Sequence, residues 1–288
     1  MTPAEALQRI VHCLDRAHVT GFKTKAWVRA LDVVRTTDPD ELADRAAAGT
    51  LTDLPGIGDS TARVIKEALD GQVPAYHTKL EAETVIELSP EAQVYRDALR
   101  GDCHLHSTWS DGGATIEEMA ATAISLGHEY MVLTDHSARL TIAHGLDRER
   151  LLAQFEDLAV LNEQLAPFRI LTGMEVDILG HCTGRLIGKR PESVFDADYV
   201  FAACAQFGTA VEINSRPERL DPPQELLDVA LSYGCYVSID SDAHATGQLE
   251  WQPHGCEKAA ASAVPIERVI NTWAIEDLLA WTETSEAA

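Results

Sequence analysis

The sequence predicts an α/β domain of parallel strands over residues 99–288, preceded by a small all-α domain over residues 1–98. Three observations predict it. From Gly101 onward, short apolar runs alternate with segments of helical spacing, the pattern of a parallel sheet covered by helices. Four stretches at or near the ends of these runs carry His, Asp or Glu, as the C-terminal strand ends of parallel α/β barrels do. Residues 4 to 18 and 25 to 35 instead place apolar side chains at helical spacing, with Leu7, Ile10, Val11 and Leu14 on one face and Trp27, Ala30, Leu31 and Val34 on another.

Taken in order, the chain opens with these two amphipathic helices, and Asp38-Pro39 restarts the pattern. Leu51 to Lys66 reads as a helix, a Pro55-Gly56-Ile57-Gly58 turn and a second helix. Residues 72 to 98 form a connector of helical character, with a helix from Pro90 to Leu99. Then follow strand 101 to 107, helix 115 to 127, strand 130 to 136, helix 147 to 165 and strand 169 to 177. After an irregular junction come helix 192 to 206, strand 209 to 214, helix 221 to 233, strand 235 to 241 and a terminal helical region. Asp147 and Asp221 are expected N-caps.

Composition narrows the class. The net charge is −23 and resides mostly after residue 98, so long-range repulsion argues against tight nonspecific DNA binding. No apolar run approaches bilayer length, and residues 1–19 are interspersed with charges. No membrane partner and a cytoplasmic location are the expectation. Six cysteines without a C-x-x-C suit a reducing compartment.

The functional signal lies in the strand ends. Strand alternation sends His104 and His106 to one face, where two neutral imidazoles can share an ion, and Asp111 follows past a turn. Asp135-His136, Glu175 with Asp177, and Asp240-Ser241-Asp242-Ala243-His244 end three other such stretches. A mixed set of imidazoles and carboxylates with no cysteine cluster suits Zn, Mn or Fe. Arg185, Arg216 and Arg219 fall on loops at the same end, and a guanidinium fork matches phosphate, although Arg219 reads equally as a salt-bridge partner. His12, His18, His77, His128 and His254 read as surface or packing residues.

The ordered motifs H-x-H-S-x-x-S-D-G, L-T-D-H, G-x-E-V-D, G-H-x-T-G-R, E-I-N and D-S-D-A-H resemble the polymerase and histidinol phosphatase (PHP) family of metal-dependent phosphoesterases. The likeness runs from about residue 99 to 288, and it is strongest to the PHP domain attached to bacterial X-family DNA polymerases. It implies a distorted (β/α)7 barrel holding two or three divalent ions (Zn, Mn or Fe). It assigns His104, His106, Glu175 and Asp242 to one ion, Asp111, His136 and His244 to a second, and Glu175 with His181 to a third. Glu175, Asp242 and His244 become the expected catalytic residues, Arg185 and Arg216 the phosphate-binding ones, and Asp135 and Asp177 supporting or packing carboxylates.

The Pro-Gly-Ile-Gly segment resembles a helix-hairpin-helix of the small N-terminal domain of X-family polymerases. That likeness implies DNA contact through Gly56, Gly58 and Lys66. The same hairpin also serves as a plain packing module, and Asp53 and Asp59 are poor neighbours for phosphate. No stretch resembles the polymerase palm. The resemblance implies hydrolysis of phosphate esters by a phosphodiesterase or 3′-5′ exonuclease acting on DNA ends. The alternatives are a small-molecule phosphomonoesterase of histidinol-phosphatase type and a noncatalytic DNA-repair adaptor.

One junction departs from the family. Glu175-Val176-Asp177 ends one strand and Ile178-Leu179-Gly180-His181 reads as the end of another, whereas parallel neighbours need a crossover of a dozen or more residues. A few dozen residues of the family, including a Val-His-Ser type motif, have no counterpart here. The expectation is a barrel short of one βα unit, an incomplete His181 site and lowered or absent activity.

Overall fold

The computed structural model describes residues 1–173 and 176–285, and the side chains of 284 and 285 are not described. It divides into two compact units, Met1–Ile86 and Glu87–Ala288.

The first unit is helical: α1 (Pro3–Arg16), α2 (Phe22–Thr36), α3 (Pro39–Ala48), α4 (Asp59–Leu69) and α5 (Ala75–Thr84). Thr2 and Glu5 form a capping box that starts α1, and Asp38 caps α3 ahead of Pro39. Leu7, Ile10 and Leu14 bury the apolar stripe of α1 against Trp27, Leu31, Val64 and Ile65. Between α3 and α4 the chain makes a short 3-10 turn at Leu51–Asp53 and then the Pro-Gly-Ile-Gly segment. Gly56 has φ 105, and a Cβ there would lie 2.9 Å from Arg29 Cγ on α2, so position and packing both call for glycine.

The second unit begins before its first strand. Helix α6 (Pro90–Ala98) packs Ala92 and Tyr95 into a core with Ile213, Val237 and Ile239, and Tyr95 Oη donates to Val264 O at 2.6 Å. The division into units therefore puts residues 87–98 with the α/β part, not with the helices before it.

Six strands are described, in two parallel three-stranded sheets. β1 (Gly101–Leu105), β2 (Tyr130–Leu133) and β3 (Arg169–Thr172) form one, with α7 (Ile116–Ser125) and α8 (Arg148–Leu165) as crossovers. β4 (Ile178–Leu179), β5 (Ala210–Asn214) and β6 (Val237–Asp240) form the other, joined through α9 (Ala197–Phe207) and α10 (Gln224–Ser232). α11 (Gln252–Ala261) and α12 (Ile275–Ser285) follow. The sheets meet at β1 and β6, where His106 N donates to Ala243 O at 2.8 Å and Cys103 N to Asp240 Oδ1 at 2.7 Å. Only residues 173–177 separate β3 from β4, too few for a crossover helix, and these two strands lie in different sheets.

Several expectations shift. β3 ends at Thr172, and α9 begins only at Ala197, capped by Asp196. Asp147 caps α8 as expected. Asp221 does not cap α10, whose N-cap is Pro223; its buried carboxylate instead accepts from Thr183 N, Thr183 Oγ1 and Gly184 N. All six cysteines are free. Among the described residues no helix is long and apolar enough to cross a membrane.

Candidate metal centre

The strand ends bring two donor sets together, each with ligand-type atoms within 4.8 Å of one another: His104, His106 and Asp242, and His106, Asp111, His136 and His244. His106 belongs to both. It is buried, its ring lies 4.2 Å from that of His244 and 4.5 Å from that of His136, and neither of its nitrogens makes a hydrogen bond. Its Nε2 stands 3.4 Å from Asp242 Oδ1. Burial holds its pKa well below the ordinary imidazole value, so the ring is neutral near pH 7, the form a metal requires.

Asp242 sits just past β6 in left-handed backbone, with φ 54, which is uncommon for a residue with a side chain. Burial opposes its charge, but His104 and His106 outweigh that and hold the carboxyl well below its ordinary range. Asp242 Oδ1 faces His104 Nε2 at 3.6 Å, while Oδ2 accepts from Arg219 Nε at 3.0 Å and Asn214 Nδ2 at 3.3 Å. On the other set, Asp111 Oδ1 lies 3.6 Å from both His136 Nε2 and His244 Nε2.

The turn that carries Asp111 is pinned by Asp135, which accepts from Ser107 N, Ser107 Oγ, Ser110 Oγ and Gln154 Nε2. Gly112 closes it, because a Cβ there would sit 2.7 Å from Ser107 O.

The other expected site residues fall as follows. His181 lies beside His104, with ring centroids 5.4 Å apart, but belongs to no donor set of three or more among the described residues. Glu175 lies outside the described residues. Arg216 places Nη1 3.1 Å from His244 Nδ1 and packs its guanidinium over Trp251. The guanidinium of Arg185 is held by the carbonyls of Arg219 and Leu220 and by Glu192, so a phosphate there would have to displace three partners. In the helical unit, Lys66 pairs with Asp70, and Gly58 caps α4 with its amide donating to Thr61 Oγ1. A groove of about 920 Å³ beside Gly56 and Gly58 carries Lys23, Arg63 and Lys79, with Trp27 stacked on Tyr76.

The network behind the donors is made by Glu212 and Asn214, to which the sequence assigns no role, and by Arg219, which takes the salt-bridge role expected as an alternative, on Asp242. The sequence also leaves His77 as a surface or packing residue. His77 and Cys13 are buried, Glu81 is exposed, and the three have donor atoms within 4.8 Å of one another. Arg16 already sits on this cluster, 3.3 Å from Glu81 Oε1, so a guanidinium occupies the place a cation would take.

The α/β unit with this histidine and carboxylate constellation defines a class: residues 102–244 match the PHP domain, and the chain carries a member of that family. It is similar to DNA polymerase/3'-5' exonuclease PolX of Bacillus subtilis (strain 168), with 30% identity over 257 residues, covering 69% of this chain and 45% of the relative. The chain thus spans less than half the length of that curated relative.

Proposed function

We propose that the protein hydrolyses phosphodiester bonds at DNA ends, as a 3′-5′ exonuclease, with divalent metal ions held by His104, His106 and Asp242 and by Asp111, His136 and His244. The observation that carries this reading is His106, a buried neutral imidazole at the meeting point of two donor sets, with no contact at Nδ1 and only the 3.4 Å approach of Nε2 to Asp242. Such a group is costly to bury unless something binds it. Bound ions of this kind acidify water and offset charge on a phosphate under attack. The protein's own part is to fix the donors on strand ends, with Asp135 holding the turn of Asp111 and Arg219 holding Asp242. Arg216, beside His244, would meet a substrate phosphate there in exchange for its contacts with Glu218 and the Asp242 carbonyl.

The PHP family supports hydrolysis, and the 3'-5' exonuclease named in the Bacillus relative supports the choice of DNA ends. The groove beside Gly56 and Gly58, where Lys23, Arg63 and Lys79 outnumber Asp59 and Glu67, supports DNA contact by the helical unit. The short link between β3 and β4 supports a barrel lacking one βα unit and an incomplete site at His181, and with them a slow enzyme.

Turnover of 3′-labelled single-stranded DNA with added Mn or Zn tests the reading, with p-nitrophenyl phosphate and histidinol phosphate alongside. Shortening from the 3′ end, reduced at least about 100-fold by His106→Ala, is the expected result. Turnover of the small esters alone would make it a phosphomonoesterase. No turnover in any arm would leave a noncatalytic adaptor.

A further inference from the structure

We infer that Glu212 is a positioning residue that dictates which nitrogen of His104 faces the metal. The inference rests on the metal reading above. Glu212 is fully buried at the middle of β5, and strand alternation puts it on the same face as Asn214. Its Oε1 lies 2.7 Å from His104 Nδ1 and accepts from Asn214 Nδ2 at 3.2 Å. Its Oε2 accepts the backbone N–H of His181.

An ionised carboxylate can only accept hydrogen bonds, so at that distance His104 Nδ1 carries the proton. In the neutral ring the lone pair then belongs to Nε2, the nitrogen that faces Asp242. Glu212 stands on the far side of the ring from this donor set and belongs to neither set. Asn214 joins the two carboxylates, because the same Nδ2 donates to Glu212 Oε1 and Asp242 Oδ2. One side chain on β5 thus orients the β1 imidazole, and its neighbour aligns the carboxylate past β6. Such outer carboxylates fix ring orientation and raise ligand basicity.

The test is zinc titration of the full chain, wild type against Glu212→Gln and Glu212→Ala, together with nitrogen-detected NMR of the 15N-labelled histidine rings in the zinc-loaded protein. In the wild type, His104 should show a slowly exchanging Nδ1 proton and an unprotonated Nε2. Glu212→Ala should lose that signature and weaken zinc at this site roughly 10- to 100-fold while leaving the number of ions at saturation unchanged. Glu212→Gln, which keeps the volume but leaves one acceptor oxygen for three donors, should fall between.

Unchanged affinity and an unchanged His104 signal in Glu212→Ala would overturn the inference. Loss of an ion at saturating zinc, with the Nδ1 proton retained, would also overturn it by making Glu212 a ligand. A wild type that takes up no zinc overturns the metal reading as well, whereas zinc uptake indifferent to Glu212 overturns this inference alone.

Discussion

His128 shows how a single buried ring sets a pH response. It is buried just past the end of α7, and burial, with Arg96 adding to it, pushes its pKa from 6.5 down to about 3. Between these values the unfolded chain takes up a proton that the folded chain refuses. Its contribution to stability is therefore complete above pH 6.5 and declines as the pH falls toward 3. Replacing it by Leu should remove up to about 1.4 kcal/mol per pH unit of acid destabilisation in that window, with the two proteins converging in slope above pH 7. Urea titrations at a series of pH values read this directly, and parallel profiles would contradict it. At this scale the sequence shows donor types at strand ends, so His104, His106, Asp111, His136, Asp242 and His244 were legible. It does not show partners. Glu212 meets His104 across 108 positions, and an isolated Glu in an apolar strand carries no sign of which ring it serves.

Elements were legible where local chemistry decides them and illegible where tertiary contacts override it. Asp147 caps α8 because its carboxylate has only the helix amides to serve. Asp221 has the same local credentials, but Thr183 and Gly184 claim its carboxylate, and the helix starts later. Asp135 illustrates the tertiary case at work: four donors converge on one carboxylate and hold the loop after β1 against that after β2. Asp135→Ala leaves those donors unanswered, so a stability loss of about 2–4 kcal/mol is expected, with weakened metal binding at the Asp111, His136 and His244 set. Denaturant unfolding and metal titration of the variant measure both, and a loss of stability without a change in that set would separate the pin from the site.

For the whole molecule, charge and division into units would govern the proposed encounter with DNA. A net charge of −23 repels a polyanion, while the helical unit presents Lys23, Arg63 and Lys79 along one groove. Binding to single-stranded DNA is expected to be weak, to drop steeply between 50 and 200 mM salt as in counterion release, and to vanish on removal of residues 1–86. Fluorescence anisotropy against salt checks this, and affinity that survives the deletion would assign DNA contact to the α/β unit. The two-unit organisation was legible from periodicity, but the division was not, because the 90–98 helix looks like any amphipathic segment until Ala92 and Tyr95 meet the strands of the α/β unit.

The two sheets of the α/β unit have a thermodynamic consequence. His104, His106, Asp111 and His136 belong to the β1–β3 side, and Asp242 and His244 follow β6. An ion held by either donor set would therefore act as a crosslink between sheets joined otherwise near β1 and β6. Binding to the native state alone adds RT ln(1 + [L]/Kd), about 2.7 kcal/mol when free metal is a hundred times Kd. The melting temperature should accordingly rise with zinc or manganese and return on chelation, and His106→Ala, which strips a donor from both sets, should respond much less to either treatment. A calorimetric scan with equal melting temperatures for metal-loaded and chelated wild type would show that the seam holds without an ion.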